Sequence, residues 1–138
     1  MFKSVLFSID QSREAREAAA VVLELVQTCQ ARLTILSVVE PKAAETGVVP
    51  HSPSMTSPDK VAELLQQAKA MFSQAGVDVK VLEREGKPAF TICDVADEID
   101  ADLIIMGSRG TGLTEEGAAD SVTNRVINLS PCPVLVVP

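Results

Sequence analysis

Residues 101–112 of the chain read ADLIIMGSRGTG. The first part, from Ala101 to Met106, is nearly continuous apolar sequence, as expected of a central parallel strand that is buried on both faces. It leads directly into a loop with three glycines, at Gly107, Gly110 and Gly112. A buried strand followed by such a loop is typical of a sheet whose strands alternate with helices.

Outward from this stretch, short β-branched runs alternate with longer amphipathic segments. The predicted strands are residues 4–9, 33–39, 77–83, 101–106 and 133–137. The predicted helices are residues 13–30, 58–75, 88–99 and 118–129. Because each strand is followed by a helix, the pattern predicts an α/β fold of three layers: a doubly wound, five-stranded parallel sheet in the order 3-2-1-4-5 with helices on both faces.

The length of the chain, 138 residues, gives room for one domain, which we assign to residues 1–138. Residues 40–57 contain Pro41, Gly47, Pro50 and Pro53 and show no hydrophobic period. A segment of that length without secondary structure is longer than most loops in compact domains, so we expect a variable loop that is either functional or disordered.

The net charge of -7 argues against two classes of partner. An acidic surface repels the phosphate backbone of nucleic acids and anionic lipid headgroups alike. The chain also has four Phe and no Tyr or Trp, which leaves few side chains for stacking on bases. We therefore expect neither nucleic acid nor membrane as a partner.

The three cysteines, Cys29, Cys93 and Cys132, are far apart in the sequence and form no C-x-x-C motif. An odd number without a spacing pattern indicates reduced, buried thiols in a reducing compartment. The N-terminus shows no signal peptide, and no stretch is long and apolar enough for a membrane span. These features predict a cytoplasmic protein.

The glycine-rich loop is the candidate binding site. In doubly wound sheets, ligands lie beyond the carboxyl ends of the strands where the strand order reverses, here the ends of the first and fourth strands at Asp10 and Gly107. Glycines let backbone N–H groups approach an anion, yet a plain tight turn also uses glycine. No Gly-Lys-Ser/Thr follows, so the loop is not a Walker A motif.

Three segments together resemble the C-terminal signature of universal stress proteins. They are MGSRGTGL at residues 106–113, SVTNRV at 121–126 and SPCPVLVV at 130–137. The similarity extends over the whole chain, from the opening strand through the Ala-rich first helix to residues 100–107. It implies a Rossmann-like fold of the adenine nucleotide α-hydrolase type and a role in the stress response.

The resemblance also implies a set of ligand contacts. Family members that bind ATP share the spacing Gly, two residues, Gly, nine residues, Gly, then Ser or Thr. On this pattern Asp10 and the backbone of Val38 meet the adenine and ribose, although Asp10 serves equally well as a cap of the first helix. The phosphate contacts that the resemblance implies are Gly107, Gly110 and the turn of Asp120, Ser121 and Val122. Arg109, the basic residue of the same loop, is included with them.

The sequence departs from this pattern at Asp120, which occupies the position of the third glycine. A carboxylate there lies beside the expected phosphates. The segment 107–125 contains two basic and three acidic residues. This charge disfavours a triphosphate unless a divalent cation such as Mg²⁺ binds with it. AMP, ATP and no nucleotide at all stay open as alternatives.

No catalytic residues and no metal ligands are assigned. His51 is the only histidine and has no Cys or His beside it. The acids between Asp94 and Asp102 are interpreted as a solvated helix face. We expect a regulatory module whose state responds to an adenine nucleotide; the alternatives are a ligand-free interaction module and a weak ATP hydrolase. A flavin protein on the same fold is disfavoured because no Tyr or Trp is present.

The last predicted strand, with the proline that follows it, is apolar and lies at an edge of the sheet. Unprotected edges of this kind pair with other chains. Family members commonly dimerise through this strand, so we expect a homodimer through residues 133–138, and a regulatory protein partner that the sequence does not identify.

Overall fold

The computed structural model describes residues 2–9, 13–39, 58–107 and 122–137. In chain order the elements are β1 (Ser4–Ser8), α1 (Arg13–Cys29), β2 (Arg32–Val39), α2 (Pro58–Gln74), β3 (Val79–Glu85), α3 (Pro88–Glu98), β4 (Leu103–Gly107), α4 (Val122–Leu129) and β5 (Val134–Val137). The predicted alternation of strands and helices is confirmed. The expected loop 40–57 and the first four residues of the expected last helix lie outside the described residues. Among the described helices, none is long and apolar enough to cross a bilayer.

The five strands form one sheet in the order β3-β2-β1-β4-β5, and every pairing is parallel. This confirms the predicted fold class. The chain moves from β1 outward to β2 and β3, then crosses back to β4 and β5. The strand order therefore reverses between β1 and β4, which pair from Val5 with Leu103 to Phe7 with Ile105.

Each face of the sheet is covered by two of the described helices. One core cluster joins α1 and α2 to side chains such as Phe7, Ile35 and Ile105. The other joins α3 and α4 to the side chains that alternate with these, such as Leu6, Leu36 and Ile104. Because the central strands are buried on both sides, their sequences are almost continuously apolar, as the pattern of residues 101–106 predicts.

Three helices end in a residue with left-handed backbone: Gln30, Gly76 and Asp100. The predicted helix end at Gly76 is confirmed, with a φ of 82°. After it, the amide of Val77 donates to the carbonyl of Phe72 at 3.1 Å, so this residue still belongs to the helix end. For that reason β3 begins two residues later than predicted. It continues to Glu85 because Val39 of the long strand β2 provides a partner there.

Asp102 does not belong to a solvated acidic face. Its carboxylate accepts hydrogen bonds from the backbone amides of Lys3 at 2.8 Å and Ser4 at 3.1 Å. Its own amide donates to the carbonyl of Ser4 at 2.9 Å, and β4 begins at the next residue, Leu103. The exposed acids of this segment, as interpreted, are Asp94, Asp97, Glu98 and Asp100.

The three cysteines are free, but each is half-buried rather than fully buried as expected. Cys29 lies at the end of α1, on one side of the sheet. Cys93 and Cys132 pack against the core cluster on the other side. The thiols are therefore sheltered but still accessible from the surface.

Candidate functional site at the strand ends

The carboxyl ends of β1 and β4 lie side by side at the point where the strand order reverses. The next described helix after β1 is α1, on one face of the sheet, and the next after β4 is α4, on the opposite face. The region beyond the two strand ends is the usual ligand position in this architecture. Beyond β1, the amide of Ile9 donates to the carbonyl of Leu36 at 2.9 Å, and Asp10 follows.

Gly107, the last residue of β4, is tied to the start of α4. The hydroxyl of Thr123 donates to the carbonyl of Gly107 at 2.8 Å, and this threonine is buried. The bond fixes the first turn of α4 beside the end of β4. Because helix N-termini carry unpaired N–H groups and the positive end of the helix dipole, this turn favours an anion at the strand ends.

Val38 and Val122 belong to one apolar cluster, although 84 positions separate them in the sequence. Val38, near the end of β2, is only 4% exposed, and Val122 packs against the same cluster at the start of α4. Met106 and Val126 complete the contact between strand ends and helix. Val38 and Val122 thus pack in one cluster, and Gly107 is joined to the start of α4 through Thr123.

The other five expected site residues lie outside the described residues. They are Asp10, Arg109, Gly110, Asp120 and Ser121. Their side chains enter the argument through sequence position only: Asp10 follows Ile9, and Ser121 precedes Val122. Among the residues that the structure describes, no group of three or more His, Cys, Asp or Glu side chains could hold a metal ion.

Two hydroxyl groups at this end of the sheet were missed at the sequence level. The sequence could have indicated the role of Thr123, since a hydroxyl side chain in a first helical turn commonly forms a hydrogen bond with nearby backbone. Ser37 had no such signal: its side chain is fully buried, and its Oγ has no hydrogen-bond partner among the described residues. Such an unpaired buried hydroxyl costs about 1–3 kcal/mol. Alternation along β2 directs it to the α1 side, away from Val38.

These features define the class of the protein. A parallel sheet with one reversal of strand order and helices on both faces belongs to the doubly wound α/β class, in which ligands lie beyond the strand ends at the reversal.

Within that class the chain belongs to the universal stress protein family. The universal stress protein family model matches residues 1–138. The chain is 59% identical over 138 residues to universal stress protein Sll1654 of Synechocystis, covering 100% of this chain and 87% of the relative. It is 33% identical over 148 residues to universal stress protein YxiE of Bacillus subtilis, covering 99% of both.

Solved structures of the family share the fold. A universal stress protein family member from Burkholderia pseudomallei matches with a TM-score of 0.75 and 28% identity, over 99% of this chain and 96% of that one. A universal stress protein in complex with cAMP has a TM-score of 0.79 at 22% identity, over 99% and 97%. The protein from Archaeoglobus fulgidus in complex with dAMP has 0.72 at 20%, over 99% and 98%.

Proposed function

We propose that the chain is a non-catalytic regulatory module that binds an adenine nucleotide in the gap between the ends of β1 and β4. The observation that carries the proposal is the hydrogen bond from Thr123 to Gly107 at the reversal of strand order. It holds a helix N-terminus where the phosphates of such a ligand would lie. Two proteins of the same fold were solved with cAMP and with dAMP, which supports an adenine nucleotide as the ligand class.

In this proposal the expected contacts keep their assigned roles. Asp10 and the backbone of Val38 bind the adenine and ribose. The phosphate is held by Gly107, Arg109, Gly110, Asp120, Ser121 and Val122. Gly107 and Val122 are both half-buried and lie where β4 ends and α4 begins, which suits contacts from both to one ligand.

The charge of the loop favours one phosphate over three. Asp120 stands where the motif has glycine, and the segment 107–125 carries more acids than bases. Each further phosphate adds negative charge beside these carboxylates, at a cost that only a divalent cation offsets. We therefore infer that AMP binds more tightly than ATP when Mg²⁺ is absent.

The test is calorimetric titration of the full chain with AMP and with ATP, each with and without Mg²⁺. The expected result is saturable binding of AMP at one site per chain and weaker binding of Mg²⁺-free ATP. If no nucleotide binds to the wild type, the proposal is wrong. Binding that appears only in Asp120→Gly would favour the alternative of a ligand-free interaction module.

Two matched pairs of variants locate the site. Thr123→Val removes only the hydroxyl that bonds Gly107 and should weaken AMP binding roughly threefold to tenfold, the range of one net hydrogen bond. Thr28→Val makes the same change on the exposed side of α1 and should have no effect. Asp120→Asn should strengthen ATP binding, whereas Asp97→Asn, which removes an exposed charge from α3, should not.

Phosphate release from ATP, measured on the same samples, separates a regulator from a weak hydrolase. The proposal expects no turnover above the background of a buffer control. Turnover that disappears in Thr123→Val but persists in Thr28→Val would establish the hydrolase alternative instead.

We also propose that the module is a homodimer paired through residues 133–138. All four residues of β5 are half-buried at an edge of the sheet. The helices α1 and α4 both contact β5, and each carries an exposed apolar side chain, Val21 and Ile127. A second copy suits this surface, because a two-fold axis pairs each β5 with its own equivalent.

The output of the module is, in this proposal, contact with a regulatory protein partner in the cytoplasm. The three free thiols support that compartment, since unpaired cysteines stay reduced there.

A further inference from the structure

The strand β5 is less deeply buried than the other four strands. All of its residues are half-buried, whereas each of the strands β1 to β4 contains at least one buried residue. Among the described residues, β5 also has a single neighbouring strand, β4. Segments with few buried side chains open locally at a lower free energy than the core does. We therefore expect β5 to open more often than the central strands.

The helix α4 depends on its neighbours for stability. It contains eight residues, of which Thr123 and Val126 are buried. An isolated helix of fewer than about 12 residues is marginal in water. The helix is held in the protein by the core cluster that it shares with α3 and by contact with β5. Loss of β5 would therefore also weaken α4.

A hydrogen-bonded turn joins α4 to β5. The amide of Ser130 donates to the carbonyl of Val126 at 2.8 Å. The hydroxyl of Ser130 donates to the carbonyl of Cys132 at 2.6 Å, and the amide of Cys132 donates back to that hydroxyl oxygen at 3.2 Å. The amide of Ile104 in β4 donates to the carbonyl of Pro133 at 3.0 Å. Because these bonds run from the helix to the strand, displacement of β5 disturbs the end of α4.

The segment 122–137, which we name the α4–β5 unit, meets Gly107 at both of its ends. In the first turn of α4, the hydroxyl of Thr123 donates to the carbonyl of Gly107 at 2.8 Å. In β5, the last residue, Val137, is the register partner of Gly107. When the unit opens, both connections are lost, and the N–H groups at the start of α4 leave the strand ends with them.

A nucleotide in the proposed site therefore binds only the closed unit. The proposed phosphate contacts Gly107 and Val122 lie side by side only while α4 stays docked on β4. A ligand that binds one of two states lowers the population of the other by the factor 1 + [L]/Kd. This factor applies however rarely the unit opens in the free protein.

We propose that binding of an adenine nucleotide closes the α4–β5 unit, so that the nucleotide sets how often the β5 edge opens. The nucleotide and its site are those of the proposed function, on which this role rests. The unit then carries the state of the binding site to the edge on which a partner pairs. A homodimer is not required for this effect, because the whole unit belongs to one chain.

Hydrogen exchange of the full chain, followed residue by residue by NMR at increasing AMP concentration, measures the opening. With AMP at ten times its Kd, the hydrogen-bonded amides of α4 and β5 should exchange about tenfold more slowly, and by the same factor in both elements. The amides of β3, the other edge strand, lie outside the unit and should keep their rates. Equal slowing in β3 would mean that AMP stabilises the whole fold, and would overturn the proposal.

Calorimetric titration of the same sample with AMP separates two kinds of failure. Saturable binding with unchanged exchange in α4 and β5 would overturn the role of the unit and leave the proposed function standing. Absence of AMP binding would overturn both.

A matched pair of serine variants tests whether α4 and β5 open together. Ser130→Ala removes the hydroxyl that joins the end of α4 to Cys132. Without nucleotide it should speed exchange in both elements roughly threefold to tenfold, the range of one net hydrogen bond. Ser73→Ala makes the same change at an exposed residue of α2 and should alter neither. Faster exchange in β5 alone would show that the two elements open separately, and the proposal would then be wrong.

Discussion

The two edges of the sheet are built from opposite kinds of sequence. The edge strand β3 reads VKVLERE and carries four charged side chains in seven residues. The edge strand β5 reads VLVV and carries none. Among the described residues each of the two strands has one neighbouring strand, so each has a row of backbone groups without a strand partner.

The β3 edge is protected against pairing. Lys80, Glu83 and Glu85 are exposed, and Arg84 forms an ion pair with Glu98 of α3 at 3.2 Å. A second chain that paired here would have to desolvate these charges, which is how natural sheets keep edges from associating. Charge on this edge therefore acts on association more than on folding.

Among the described residues, β5 carries no charge, and the two helices that contact it each expose an apolar side chain. Val21 of α1 is 39% exposed and Ile127 of α4 is 53% exposed, one on each helix layer. The two edge strands of the sheet therefore differ in charge. The uncharged edge is the one on which a second copy would pair with least loss of solvation.

The largest effect is expected from charge placed on β5. Val136→Lys should convert the dimer into a monomer and raise the dimer dissociation constant at least about 100-fold, because paired edges would bring two ammonium groups together within the interface. Among the described β5 residues, Val136 alone packs against neither core cluster, so the fold should tolerate the change. Sedimentation equilibrium measures the result.

The matched control places the same residue on the other edge. Glu83→Lys on β3 should leave the molecular mass in solution unchanged, since that edge is already charged and exposed. A wild-type chain that sediments as a monomer, or a Val136→Lys variant that remains dimeric, would contradict the proposed interface.

The next largest effect is expected at the glycine that follows the other edge strand, β3. Gly86, directly after β3, has a φ of 155°, and an added Cβ would lie 2.6 Å from the Thr91 Oγ1 atom. We expect Gly86→Ala to lower the free energy of unfolding by about 2–4 kcal/mol, from backbone strain and overlap together. Urea denaturation with a constant m-value measures the loss.

Gly76, before β3, is the internal reference. Its φ is 82°, but an added Cβ would meet nothing within 4 Å. Gly76→Ala should therefore cost only the backbone term, about 1–2 kcal/mol. Adding Thr91→Ala to Gly86→Ala should recover part of the loss by removing the nearest atom; no recovery would show that overlap with Thr91 is not its source.

How much of this fold was predictable follows from particular residues. The apolar run from Leu103 to Met106 and the alternation in β3 predicted a central strand and an edge strand, because burial on two faces or one face dictates these patterns. The start of β3 was predicted wrongly. The bond from the Val77 amide to the Phe72 carbonyl belongs to the geometry of a helix end, which hydrophobic period does not encode.

The site was predictable only in outline. Topology sets the ends of β1 and β4 side by side, so Gly107 could be assigned to the site from the order of elements. The bond from Thr123 to Gly107 joins residues 16 positions apart. Contacts of this kind arise from tertiary packing and leave no periodic signal in the chain.

The smallest effect is expected from the ion pair on the β3 side. Arg84 and Glu98 are 40% and 60% exposed, so solvent screens their attraction. A double-mutant cycle with Arg84→Ala and Glu98→Ala should give a coupling below about 0.5 kcal/mol that disappears at about 1 M salt. A coupling above about 1 kcal/mol that persists in salt would mean that the pair stabilises the fold. The expected small value instead leaves the β3 charges one principal role, that of keeping this edge free of partners while β5 remains open to one.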